Sequence, residues 1–165
     1  MNAGANGAET CESLKRVLFV DADGSLHNIE KKSLHFSYRY STFHEKKGAI
    51  AGAEFQLTRS ETARPKQLKI LSYRTKTQPY GEKSAGCVFR NPPSNSAGRL
   101  IEQCGLKGEQ SGGAQVSKVH ANFIINTGSS SSSDVLNLID RITDRVKKET
   151  GIVLENEIRF IPYRE

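Results

Sequence analysis

The sequence predicts an α+β fold in which helices pack on a small sheet, and three observations carry that expectation. Val135, Leu138, Ile139, Ile142 and Val146 recur at helical spacing and make one apolar stripe, the mark of a helix with a buried face. Residues 16–21 are rich in Val, Leu and Phe and run into Asp23-Gly24, after which residues 26–29 alternate, as in a strand, tight turn and strand. Phe123-Ile124-Ile125, set between two asparagines, reads as a short buried strand. Strands that pair locally and helices that cover one face are the parts of an α+β domain.

Taken in order, residues 1–10 are small, Gly-rich and without apolar period, so no independent element is expected there. After the hairpin, Phe36, Tyr38, Tyr40 and Phe43 fall on alternating or bulged positions and are expected to pack the domain rather than stack bases. Residues 49–57 alternate as another strand. Residues 58–64 are polar, Pro65 suits a first helical turn, and Leu68, Leu71 and Thr75 share a helical face, although periodicity alone leaves residues 68–73 open between helix and strand. Gln78-Pro79 closes that region.

Residues 84–92, Ser-Ala-Gly-Cys-Val-Phe-Arg-Asn-Pro, concentrate a thiol, a permissive glycine, a guanidinium and an amide. Gly86 should let the chain turn, so that Cys87 projects from a bend instead of lying in a regular ladder. Val88 and Phe89 anchor the segment, and Pro92 with Pro93 stops it from continuing as helix. The residues alone leave Cys87 open between a reactive thiol and a small buried side chain. Residues 97–104 predict a short helix ended by Gly105, and residues 112–115 a turn. Residues 129–133 are a flexible serine run in which Ser133 can cap the helix over 134–150, with Asp134 at its positive end, Lys147 and Lys148 at its negative end, and Gly151 as its stop. A final strand is expected over residues 156–161.

At 165 residues the chain holds one substantial core or a small domain plus part of another. Apolar residues make up 36% and charged residues 25%, which argues against wholesale disorder. No run is apolar enough to span a bilayer and no signal segment opens the chain, so a cytoplasmic location is expected. The net charge of +6 favours anionic partners. Because the basic residues are scattered among acids, they describe a solvated surface and not a nucleic-acid stripe. Cys11, Cys87 and Cys104 are irregularly spaced and read as reduced thiols, and His27, His35, His44 and His120 lack ligand spacing, so no metal is expected.

The 84–92 segment, followed by Ala97-Gly98-Arg99-Leu100-Ile101-Glu102, Gly112-Gly113-Ala114-Gln115-Val116-Ser117, His120-Ala121-Asn122-Phe123 and Leu154-Glu155-Asn156-Glu157-Ile158-Arg159, closely resembles the C-terminal half of UDP-N-acetylenolpyruvoylglucosamine reductases. Upstream, Phe36-Ser37-Tyr38-Arg39-Tyr40-Ser41 resembles the family's Tyr-Arg-x-Ser segment, and Met1-Asn2-Ala3-Gly4-Ala5 a glycine-rich stretch of its flavin domain. The resemblance spans nearly the whole chain. It implies that residues 1–63 are the C-terminal portion of a FAD-binding domain whose N-terminal part is missing, and residues 64–165 a small α+β substrate-binding domain, with residues 68–73 helical. The chain is accordingly expected to be an N-terminally truncated form.

The implied activity is reduction of UDP-N-acetylglucosamine enolpyruvate to UDP-N-acetylmuramate for peptidoglycan, with FAD and NADPH as cofactors and a monomer as the working unit. Charge that builds on the substrate carboxylate calls for a cation there and an acid over the adjacent carbon. By resemblance Arg39 is that cation, Cys87 the proton donor in place of the family's common serine, and Glu157 the assisting glutamate, with Glu155 its rival. A thiol, with a reference pKa of about 8.5, can serve as that acid near neutrality. The resemblance also assigns Tyr38, Arg90, Asn91, Arg99 and Gln115 to the substrate and Asn2, Gly4 and Ala5 to the cofactor. Arg99 and Gln115 could equally cap a turn or pair on the surface. The alternative function is a UDP-sugar-binding module without redox activity.

Overall fold

A computed structural model describes residues 1–162, and these form two compact units divided after Gln67. The first unit opens with a two-stranded hairpin, β1 (Gly4–Ala5) and β2 (Ala8–Glu9), followed by a single helical turn, α1 (Thr10–Ser13). Sequence analysis anticipated no element here. The missed signal is Asn6-Gly7, both at positive φ (55° and 78°), the residue pair that a two-residue hairpin turn prefers.

The central sheet of this unit has the order β4-β3-β7, with β3 (Leu14–Asp21), β4 (Leu26–Glu30) and β7 (Gly48–Phe55) all antiparallel. Asp21 and Asp23 accept backbone hydrogen bonds from the turn at Ser25, which lowers the Asp23 carboxyl to about 2 through its bonds to Asp21 and Ser25. Two further short strands, β5 (Phe36–Ser37) and β6 (Tyr40–Ser41), leave Tyr38-Arg39 as their two-residue loop. Of the aromatics expected to pack this unit, Phe43 lies 5.5 Å from the Phe19 ring, whereas Tyr38 is exposed.

Helix α2 (Ala63–Thr77) forms as expected, but Leu68 and Leu71 on its apolar face are about half exposed and it buries no residue. The second unit contains a four-stranded antiparallel sheet of order β8-β11-β10-β9, from β8 (Lys83–Cys87), β9 (Gln110–Ser111), β10 (Ala114–Val116) and β11 (Phe123–Asn126). Helices α3 (Ala97–Gln103) and α4 (Ser132–Thr150) supply Leu100, Ile101, Leu138, Ile139, Ile142 and Val146 to one core with Phe89, Val116 and Ile124. The chain is therefore α+β.

Three further expectations give way. The cap of α4 is Ser131, not Ser133: its hydroxyl accepts from the Asp134 amide at 3.1 Å while Asp134 accepts from the Ser131 amide at 2.8 Å. This reciprocal pair, which holds the Asp134 carboxyl below its usual value, needs the acid three residues after the cap. Gly113 fixes the same corner, since a β-carbon there would overlap the backbone of Ser129 and Ser130. The strand expected over 156–161 reduces to one bridge, Phe89 to Asn156, and Phe160 and Ile161 are exposed. Cys87, finally, does lie in a ladder, paired with Phe123. Gly86 takes the positive φ anticipated for it, 89°, and the pairing of β8 with β11 changes register beside it, so the chain bends without leaving the sheet.

Candidate functional site

The segment from Cys87 to Arg90 is held along both edges. On one side Cys87 pairs with Phe123, the Val88 amide donates to the Asn122 carbonyl at 2.8 Å, and the Asn122 side chain takes both polar groups of Phe89. Its Oδ1 accepts from the Phe89 amide at 2.9 Å and its Nδ2 donates to the Phe89 carbonyl at 2.8 Å. On the other side the amides of Glu157 and Ile158 both donate to the Val88 carbonyl, at 2.7 and 3.4 Å, and the Arg90 amide donates to the Glu155 carbonyl at 2.8 Å. Two residues opposing one is a bulge, a device that re-aims side chains at the margin of a sheet. Residues 155–158 thus continue the sheet beyond β8 without forming a regular strand.

The arrangement brings Cys87, Arg90, Glu155 and Glu157 onto adjoining backbone segments. Val88 and Phe89 are buried to within 2% of complete, which roots the segment, while Cys87 and Glu157 are half-buried. Arg90 Nη1 lies 3.6 Å from Glu155 Oε2, and its Nε is buried with no hydrogen-bond partner among the described residues. Glu155 is exposed, so this pair is screened by solvent and holds Arg90 loosely. Asn91 accepts from the Ala97 amide at 3.0 Å, tying the segment to the start of α3. Arg99 is exposed on the first turn of α3, and its amide is capped by Ser96. Gln115 is on β10, separated from β8 by β11, and its amide donates to the Gly108 carbonyl at 3.3 Å. The Gln115 side chain is thus engaged in a local turn, while the capped group of Arg99 is its backbone amide.

Tyr38 and Arg39 belong to the first unit. Arg39 adopts φ 55°, outside the usual range for a branched or long side chain, and its guanidinium stacks 5.0 Å from the Tyr38 ring centroid. The neighbouring Ser41 is buried and makes a reciprocal capping pair with His44. Asn2 is also buried, but its amide is fully engaged inside the unit: it donates to Glu9 at 2.7 Å and to the Ser37 carbonyl at 3.4 Å, and accepts from the Cys11 amide at 3.0 Å. Gly4 is accounted for by close packing of the hairpin, where a β-carbon would come within 3.1 Å of Glu9, and Ala5 is exposed. Among the described residues no cluster of three potential metal ligands occurs, and no helix is long and apolar enough to cross a membrane.

A cleft of about 420 Å³ lies along β8, bounded by Lys83, Ser84, Val88, Ile125, Ser131 and Ile158. His120 stands against the Phe123 ring at 4.9 Å and contacts the start of α3 near Gly98. Burial, followed by the nearby Lys107 charge, lowers its basicity. Burial and then Glu149 raise the Cys104 thiol, leaving it protonated and inert. The buried polar residue that supports the segment, and for which sequence reasoning named no role, is Asn122. Its signal was a polar residue at the edge of the Phe123-Ile124-Ile125 run, where an unpaired amide would be costly to bury.

Comparison with known proteins agrees with this geometry. Residues 78–161 match the family described as UDP-N-acetylenolpyruvoylglucosamine reductase, C-terminal domain. The reductase of Protochlamydia amoebophila is 58% identical over 163 residues, covering 99% of this chain and 54% of the relative, and that of Chlamydia muridarum is 47% identical over 164 residues, covering 99% and 55%. The crystal structure of the Thermus caldophilus enzyme superposes with a TM-score of 0.81 at 36% identity, over 98% of this chain and 58% of the other. The chain thus spans about half the length of the curated relatives it matches. With its second unit matched almost throughout, the chain belongs to the UDP-N-acetylenolpyruvoylglucosamine reductase family.

Proposed function

We propose that this chain carries the substrate side of a flavin-dependent reduction, in which UDP-N-acetylglucosamine enolpyruvate becomes UDP-N-acetylmuramate for peptidoglycan synthesis in the cytoplasm. The observation that supports it best is the joint anchoring of Cys87, Arg90 and Glu157 on backbone segments bonded through Val88. A thiol, a cation and a carboxyl are the groups that a double-bond reduction next to a carboxylate requires.

In this reading Cys87 holds the proton that reaches the substrate carbon, and Glu157 assists as charge grows. Residues 64–165 are the substrate-binding domain and residues 1–63 part of a FAD-binding domain. Arg39 polarises the carboxylate, its planar fork suited to a two-oxygen acceptor. Tyr38, whose ring centroid lies 5.0 Å from that guanidinium, contacts the substrate beside it. Arg90 meets an anionic group of the substrate, Asn91 positions it, and Arg99 and Gln115 make peripheral contacts. FAD, reduced by NADPH, supplies the hydride when bound. Asn2, Gly4 and Ala5 would lie against the cofactor through their backbone, since the Asn2 side chain is engaged within the unit.

The test is to incubate the purified chain, as a monomer, with excess FAD, desalt it, and record absorbance through addition of NADPH and then substrate. Retained flavin that bleaches and recovers supports the reductase. In flavin-loaded protein Cys87→Ala should leave bleaching unchanged and slow recovery by about 100-fold, the lower range for loss of a positioned acid. Equal loss in both steps would remove Cys87 from the chemistry. A colourless protein that still binds UDP-N-acetylglucosamine would instead favour a binding module without redox activity.

A further inference from the structure

We propose that Asn122 is a positioning residue that sets the register between Cys87 and Glu157. The proposal rests on the reading of those two residues as partners at one site. Asn122 acts through its bonds to Val88 and Phe89. It is 97% buried, and its side chain closes on Phe89 with both a donor and an acceptor, across 33 positions of sequence.

Three features make this more than satisfaction of a buried amide. The clamp acts on the residue between the two functional ends of the segment, because Cys87 precedes Val88-Phe89 and Arg90 follows. Its own carbonyl takes the Val88 amide at 2.8 Å, so Asn122 makes three bonds to two consecutive residues. The opposite edge of those residues receives Glu157: the Val88 carbonyl accepts from the Glu157 amide, and Phe89 bridges to Asn156. Residues 155–158 form no regular strand, and the backbone bonds that join them to the sheet go to Val88 and Arg90, with Ile158 packing against the core. A one-position slip of residues 155–158 along Val88-Phe89 would move Glu157 relative to Cys87 and exchange the faces of the pairing; by holding both polar groups of Phe89 on its own side, Asn122 leaves the Val88 carbonyl and the Arg90 amide to face residues 155–158. A regular ladder resists such a slip over many bonds. At the register change beside Gly86 and the two-to-one bulge at Glu157, the Asn122 side chain takes over that function.

The test is amide hydrogen exchange on the 165-residue chain, comparing the parent with Asn122→Ala and with Asn122→Asp. The aspartate keeps the acceptor for the Phe89 amide and lacks the donor to its carbonyl, and it serves if the alanine variant does not fold. Asn122→Ala should exchange the Phe89 amide about tenfold faster or more, the expected result of unpairing a buried group, whereas Asn122→Asp, which retains that acceptor, should accelerate it less. The proposal predicts that Asn122→Ala brings a comparable increase at the Glu157 amide, which donates to Val88, and that Asn122→Asp also accelerates it, with the Val116 amide in β10 unchanged. Faster exchange at Phe89 with Glu157 unchanged would overturn it and make Asn122 a local partner only. Equal acceleration at Phe89, Glu157 and Val116 would also overturn it, by showing a general loss of stability. Exchange is read without ligand, so failure of the substrate reading is distinguishable: that failure appears as no protection of the Cys87 thiol by UDP-N-acetylglucosamine in the parent chain.

Discussion

The two units are built on antiparallel sheets of three and four strands, yet they bury their residues very differently. In the second, β11 is Phe-Ile-Ile-Asn with its first three residues buried, and the core cluster runs from Val88 to Leu154. In the first, β7 is Gly-Ala-Ile-Ala-Gly-Ala-Glu-Phe, exposed at all but Gly52 and Glu54, and the buried apolar residues are Leu14, Val17 and Phe19. Composition explains the contrast, because alanine and glycine offer little area to remove from water. The unit that carries Cys87 and Glu157 therefore has its own supporting core, while the unit that carries Arg39 depends on fewer buried contacts.

The sharpest way to break this comparison is to empty the core of one unit and watch the other. Leu138→Ala, at a fully buried site on α4, should destabilise the second unit by about 2–5 kcal/mol in denaturant titration, with signals from Phe19 in the first unit unchanged. Loss of both units together would show that they are not separately stable. Gly113→Ala should cost about 1–3 kcal/mol, because its new methyl group meets the Ser130 backbone, which cannot move without disturbing the α4 cap. Ser131→Ala removes half of that cap and should lower stability by about 1 kcal/mol, whereas Ser133→Ala should change nothing measurable.

Acid should act on the second unit in two stages. His120 is less basic in the folded chain than its ordinary value of about 6.5, so the unfolded state binds its proton more readily. Its contribution is complete above that value and is lost as pH falls through the lower folded value. Thermal midpoints followed from pH 7 to pH 5 should decline less in His120→Phe than in the parent. Asp134, also lowered, follows the same direction at more acid pH, above which its cap bonds are intact. At the small end, Ile50→Ala on exposed β7 should alter stability by less than about 0.5 kcal/mol.

The contrast also explains what could be read in the amino-acid order. Long periodic signals translated directly: the α4 stripe buries Leu138, Ile139, Ile142 and Val146, and Asp23-Gly24 closes β3 onto β4. Signals shared among short neighbours did not. Any serine in residues 129–133 could cap α4, and the choice of Ser131 is made by Asp134 three residues on. Residues 156–161 have strand-forming composition, but among the described residues Asn156 alone makes a ladder pair, because Val88 accepts from two consecutive amides and ends the ladder. For the site, the resemblance named Cys87, Arg90 and Glu157, while the clamp of Asn122 on Phe89 spans 33 residues and showed locally only as a polar residue at the edge of an apolar run.

The central claim is that Cys87 lies at a UDP-sugar site built within this chain, and its most direct test is alkylation of that thiol. With Cys11→Ser to remove the other half-buried thiol, and Cys104 buried, iodoacetamide reports on Cys87 alone. Millimolar UDP-N-acetylglucosamine should slow the reaction several-fold, and Arg90→Ala should abolish that protection. An alkylation rate unaffected by the nucleotide sugar would contradict the assignment of Cys87 to the substrate site.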